Sequence, residues 1–203
     1  MRRITTFTTT VALTAAAVLL AAGSAKAAPI TSGLQLWLDG NDASTVTTAG
    51  GAVGTWADKS AAGNDATATG SERPTHSAAT GPNGTGEVQF DGVDDRLNAG
   101  HVIPEDSSST IFFVLDRPAL GSGERGGVFQ REFVKGEPDR FSGVTLGAGG
   151  PNSWGVDVRD DDGTIASVTA SSKTGLQMWQ GAVDYDATNS SVTVELFEDG
   201  ASV

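Results

Sequence analysis

Apolar and polar positions alternate with period two along much of this chain, and glycine, proline, asparagine or aspartate interrupts the alternation every several residues. Val88 and Phe90 alternate with Glu87, Gln89 and Asp91 before Asp91-Gly92 turns the chain, which predicts a half-buried strand that ends in an acidic turn. Leu34, Leu36 and Leu38 share one face against Gln35 and Trp37, predicting an opening strand over 33–39. The small, polar, glycine-rich stretch from Thr45 reads as loop until Val53, Thr55 and Trp56 recover an extended pattern. A short strand is expected at Ala66 to Thr69, and 72–86 reads as a Pro/Gly/Asn-rich connection.

Downstream, Thr-Ile-Phe-Phe-Val-Leu-Asp at 110–116 is continuously apolar and too short for a typical helix, so a strand covered on both faces is expected. Residues 127–133 and 141–146 are strand candidates on either side of a polar turn at Gly136-Glu137-Pro138-Asp139. Trp154, Val156 and Val158 alternate with Gly155, Asp157 and Arg159, and Asp160-Asp161-Asp162-Gly163 then predicts a hairpin returning through Ile165 and Val168. Residues 177–185 and the alternating Val192, Val194 and Leu196 add two strands, after which Asp199-Gly200 turns into a strand at 201–203 that stops short. No stretch beyond the first 27 residues sustains helical periodicity, so the expected class is all-β, a two-sheet antiparallel sandwich.

The first 27 residues follow a different rule. Arg2 and Arg3 precede an apolar run from Val11 to Ala22, and Ala25-Lys26-Ala27 supplies the small residues of a cleavage site. This predicts a helical signal peptide over 1–27 and a secreted or cell-surface domain over 28–203. The threonines at 5–10 keep the run short of the roughly 20 apolar residues of a membrane span, so no membrane insertion is expected after cleavage. The residues after the arginine pair lack the rest of a twin-arginine pattern, which favours the general secretory route.

Charge narrows the partners. Thirteen basic against 25 acidic residues give a net charge of −12, and losing the basic leader makes it more negative. Such a surface repels phosphate backbones and anionic headgroups, so nucleic acid is not an expected partner, whereas neutral ligands and divalent cations are compatible. Solubility alone also accounts for the charge. With no cysteine, neither a disulfide framework nor a lipoprotein anchor is available.

Five pieces taken together carry a resemblance: Leu34-Gln35-Leu36-Trp37-Leu38-Asp39, Val53-Gly54-Thr55-Trp56-Ala57-Asp58-Lys59-Ser60, Asn64-Asp65-Ala66-Thr67, Arg73-Pro74-Thr75 and Phe90-Asp91-Gly92-Val93-Asp94-Asp95. In order and spacing the chain resembles the LamG-like jelly-roll domains of the concanavalin A-like lectin/glucanase superfamily, in their bacterial exported form. The resemblance covers 33 to about 97 well and the remainder as a strand series. Ala61-Ala62 departs from the family's usual turn residues, and the family's closing strands are expected to be missing after Asp199-Gly200. The resemblance implies a jelly-roll sandwich that serves as a carbohydrate or surface-ligand module, and it does not imply catalysis.

Candidate chemistry follows from the aromatic and acidic residues. Trp37 and Trp56 sit inside the shared pieces and are expected in the core, while Trp154 and Trp179 are the sugar-stacking candidates if they face solvent on a sheet. Asp39 and Asp42 flank the first turn, and Asp91, Asp94 and Asp95 crowd another; these are candidate calcium ligands, against the alternative that they cap their own turns. Asp160 to Ile165 matches part of an EF-hand loop, but Val158 and Thr169 would fall at its first and last positions, so the hairpin is the expectation. Catalysis finds no constellation: Glu195 and Glu198 are three apart on a strand and point to opposite faces, and His76 and His101 lie in no motif with a nucleophile. The expected function is a noncatalytic extracellular recognition module that binds carbohydrate, its partner being a glycan or cell-surface ligand. The alternatives are a structural or adhesive domain of a larger exported protein and a polysaccharide-active enzyme.

Overall fold

The computed structural model describes residues 32–103, 107–117, 127–130, 143–150, 153–160, 163–171, 174–186, 188–189 and 191–202. The expected leader and its cleavage site lie outside them. Among the described residues there is no α-helix, only strands and three one-turn 3-10 segments at Ala43–Thr45, Gly70–Glu72 and Pro82–Gly84.

The first sheet is built from β1 (Val46–Ala49), β2 (Ala52–Trp56), β3 (Ala66–Thr67), β4 (Thr75–Ser77) and β5 (Glu87–Gln89), in the order β1-β2-β4-β5 with β3 also pairing β2. Its first hairpin falls where a loop was expected. Gly50 and Gly51 both take positive φ, 63° and 86°, between the paired Ala49 and Ala52. A two-residue turn with both central residues left-handed matches the strand twist, and glycine adopts it without steric cost. β1 reads as polar because three of its four residues face solvent. The opposite correction holds for 33–39: among the described residues, 34–39 belong to no strand and join no ladder, and Leu36 packs against the core from outside the sheets. Phe90, predicted to share Val88's half-buried face, lies beyond the end of β5 and is 51% exposed.

The remaining strands are β6 (Ser109–Arg117), β7 (Gly127–Gln130), β8 (Gly143–Gly150), β9 (Ser153–Asp160), β10 (Gly163–Ser171), β11 (Gly175–Asp186), β12 (Ser191–Glu198) and β13 (Ala201–Ser202). They form two antiparallel four-stranded sheets, β10-β9-β8-β7 and β13-β12-β11-β6. Asp160 pairs with Gly163, so β9 and β10 form the hairpin expected at the aspartate run. β6 returns to pair with β11, Val114 opposite Met178 and Phe112 opposite Gln180.

One apolar cluster joins these two sheets. Val156 and Val158 of β9 meet Trp179 and Val183 of β11 and Leu196 of β12, with Val102 and Ile103 from the preceding loop; Ile111, Phe113, Leu115, Val168 and Ala170 pack around them. Each such side chain contributes on the order of 1.5–3 kcal/mol when fully buried. The described part is therefore an all-β sandwich of antiparallel sheets. β6 departs from the expectation of a doubly covered strand: Ile111, Phe113 and Leu115 face the core, but Phe112 and Val114 are 64% and 67% exposed.

Candidate functional site

Asp58 organises the pieces that carried the family resemblance. Its Oδ1 accepts the amide N–H of Trp37 and of Ser60, both at 2.8 Å. Its Oδ2 accepts the Ser60 hydroxyl at 2.6 Å and the Asn64 amide N–H at 2.9 Å, while its own N–H donates to Asp65 Oδ1. The Lys59 amide donates to the Trp37 carbonyl, so the 34–39 segment is tied through this corner instead of through a sheet. Partial burial pushes the Asp58 carboxyl up, but the Ser60 hydroxyl and the Ser60, Trp37 and Asn64 amides outweigh it and hold the pKa down at about 2. A depressed folded-state pKa stabilises the fold above the ordinary value of 3.8, and that stabilisation is lost as pH falls through about 2. Partial exposure limits the contribution to about 1–2 kcal/mol at neutral pH. Urea midpoints measured against pH are expected to fall in this acid window, with a shallower fall in Asp58→Asn; an identical fall in that variant would assign the acid lability elsewhere.

Asp39 and Asp42, expected as calcium ligands, are engaged differently. The Lys59 ammonium lies 2.9 Å from Asp39 Oδ2, 2.8 Å from Asp42 Oδ2 and 4.8 Å from the centre of the Trp37 ring. The place a cation would take between these carboxylates is held by the chain's own positive charge. The hydrogen bond from Lys59, with those from Ser44, lowers the Asp42 pKa, and the bonds to Asp42 and Asp39 raise that of Lys59. The signal lay in the Asp58-Lys59-Ser60 piece, which nothing in the sequence linked to the first turn.

Asp91, Asp94 and Asp95 do come together, each offering a carboxylate oxygen within 4.8 Å of the others'. The turn follows from Asp91, whose Oδ1 accepts the N–H groups of Val93, Asp94 and Asp95 at 2.8, 3.2 and 3.3 Å, and from Gly92 at φ 74°. The Val93 amide leads the groups that lower the Asp91 pKa. Asp95 Oδ2 accepts the Asp91 N–H, and Asp94 Oδ2 accepts the Ser71 hydroxyl. One oxygen of each carboxylate is thus engaged within the protein. Calcium takes six to eight oxygens, so an ion here would hold the remaining carboxylate oxygens and complete its shell with water. Both readings of this aspartate group, turn cap and cation ligand, are chemically compatible with it.

Of the stacking candidates, Trp179 is corrected outright. It is 0% exposed at the centre of the core, and its Nε1–H donates to Gln177 Oε1 at 2.9 Å. A sugar needs an open ring face, and this ring has none. Trp154 has its backbone in β9, opposite Ala148 and Ala170; its side chain lies outside the described residues. Glu195 is exposed and Glu198 half-buried, on opposite sides of β12. His76 is tied by a ring nitrogen 3.2 Å from the Gly40 carbonyl oxygen, and His101 is exposed.

The surface that sequence reasoning missed is the outer face of the β13-β12-β11-β6 sheet. Phe112 and Val114 of β6 lie in register with Gln180 and Met178 of β11, and Leu176 follows opposite Asp116. Phe112, Val114, Leu176 and Met178 are all exposed, by 44% to 67%. Phe197, half-buried, continues the strip opposite Gln180. The run Ile111 to Leu115 carried no polar residue to mark its outer side, so only the structure separates Phe112 from Phe113.

No family model, no curated protein and no solved structure matches this chain.

Proposed function

We propose that the chain is a noncatalytic extracellular recognition module with a jelly-roll topology of the LamG-like kind, and that the outer face of the β6, β11 and β12 strands is its recognition surface. The exposed strip of Phe112, Val114, Leu176 and Met178 carries this reading. Folding buries such side chains wherever it can, and a contiguous apolar patch left on a sheet face is the usual mark of an interaction site. Secretion rests on the basic, apolar and small-residue order of 1–27. The strip is mostly aliphatic, which favours the adhesive, surface-docking form of the module over sugar stacking. A glycan remains a second reading because Phe112 is an exposed aromatic ring beside the Gln180 amide, a pairing able to stack on a sugar ring and bond its hydroxyls. Probing the purified chain on glycan and peptide arrays tests the module: binding that Phe112→Ala weakens, with thermal melting unchanged, is expected. An absence of binding on both arrays overturns it.

Calcium belongs to this reading at Asp91, Asp94 and Asp95, and no longer at Asp39 and Asp42. A ligand that binds only the folded state stabilises it by mass action, about 2.7 kcal/mol at a hundredfold excess over its Kd. Excess calcium is expected to raise the melting temperature over that in chelator, and Asp94→Asn is expected to abolish the rise. Identical melting in calcium and chelator would remove the ion from the account.

A further inference from the structure

The strip is enclosed by charge of one sign. At one end Asp116 stands opposite Leu176, and Asp199 sits beside Met178, its N–H donating to the Met178 carbonyl. At the other end Ala182 pairs with Glu195, and Asp184 follows two residues on. All four acids are exposed, and the described residues place no lysine or arginine on this face. Along β6 the seven residues from Thr110 to Asp116 span roughly 20 Å, the length of about seven residues of extended peptide or about fourteen of helix.

From this arrangement we infer that the occupant of the face is a cationic, apolar-bearing polypeptide segment of a partner protein, with basic residues near both ends and apolar residues between. The inference rests on the proposed reading of this face as a recognition surface. Charge selects this occupant over the others. A second copy would bring its own four acids and a net charge of −12 against the first, and like charges brought together across an interface oppose association. A neutral glycan can bond such acids through its hydroxyls but brings no positive charge to offset four of them, and it leaves Val114, Leu176 and Met178 without a stacking partner. Aliphatic and methionine side chains instead adapt to the irregular side chains of a polypeptide. Rim carboxylates steer a cationic partner onto the face and fix its placement, so association depends strongly on salt.

The test uses the purified chain and three labelled peptides of equal length, alternating Leu with Lys, Leu with Glu, and Ser with Lys, followed by fluorescence anisotropy at low and high salt. The Leu/Lys peptide is expected to bind about tenfold more tightly than either control. Val114→Lys should abolish that binding, and the exposed pair Asp116→Asn with Glu195→Gln should weaken it about tenfold, as should high salt. Thr48→Lys adds the same charge on exposed β1 and is expected to leave binding nearly unchanged, which separates a local site from attraction to an acidic protein. Equal binding of Leu/Glu, or equal loss in Thr48→Lys and Val114→Lys, overturns the inference. Sedimentation showing a dimer that Val114→Lys dissociates would make the occupant a second copy and overturn it, leaving the recognition face in place. Glycan binding lost in Phe112→Ala, without peptide binding, overturns the inference but preserves the module; binding in no arm, arrays included, overturns both.

Discussion

Trp179→Ala is expected to destabilise the fold by about 3–5 kcal/mol, the range for deleting a large aromatic from a packed core. The indole is 0% exposed between Val156 and Val158 on one sheet and Val183 and Leu196 on its own, so its removal opens a cavity at the join of the two layers. It also strips Gln177 Oε1 of its indole donor in a residue only 4% exposed. Trp179→Phe separates these contributions: it keeps most of the packing and loses the donor, and about 1–3 kcal/mol is expected. Urea denaturation of the two variants measures both. An unchanged urea midpoint in Trp179→Ala, with ligand binding lost, would return this residue to the recognition surface and contradict the core assignment.

Asp58→Ala is expected to cost about 2–4 kcal/mol although the residue lies outside every strand. The change leaves the Trp37, Ser60 and Asn64 amides without their acceptor and releases the segment that carries Leu36 to the core. Hydrogen exchange at the Trp37 amide gives the local reading, and loss of protection there with the β11 amides still protected is the expected pattern. By contrast, the Arg96–Glu72 pair, in which the arginine side chain is 73% exposed, contributes on the scale of an ordinary surface ion pair, under about 1 kcal/mol. Equal losses from Asp58→Ala and Arg96→Ala would show that the Asp58 corner is not what holds the segment.

Several features of the fold were legible because the chemistry was local. The Asp160 to Gly163 turn and the alternation of Val156 and Val158 set a hairpin without reference to anything distant. The Val53 to Ser60 piece was visible as a unit, and its meaning emerges from Asp58 binding Trp37 and Lys59 binding Asp39 and Asp42. Those partners lie 17 to 21 residues away, and no periodicity connects them. That distance is why Asp39 and Asp42 read as cation ligands: two carboxylates beside a turn look alike whether a metal or a lysine neutralises them. The same limit applies to the tryptophans. Burial of Trp179 depends on the sheet stacked over it, and exposure of Phe112 on the lack of such a sheet on the other side among the described residues. Polar alternation would have marked that side, but Phe112 and Val114 are themselves apolar.

Threading β6 against β11 sets off four strands, β7 to β10, between two neighbours of the same sheet. For a flexible connection, ring closure grows only logarithmically with length, about 0.6 kcal/mol for each doubling. Once that excursion exists, lengthening its turns is therefore cheap, and what keeps Val114 abreast of Met178 is the fit of the inward side chains on each strand. A slip by one position would turn Ile111, Phe113 and Leu115 out to water and bring Phe112 and Val114 inward. An apolar residue at every position from 111 to 115 makes that mistake less costly here than in an alternating strand, so the correct alignment must be enforced from β11, where Gln177 and Trp179 tolerate only one placement.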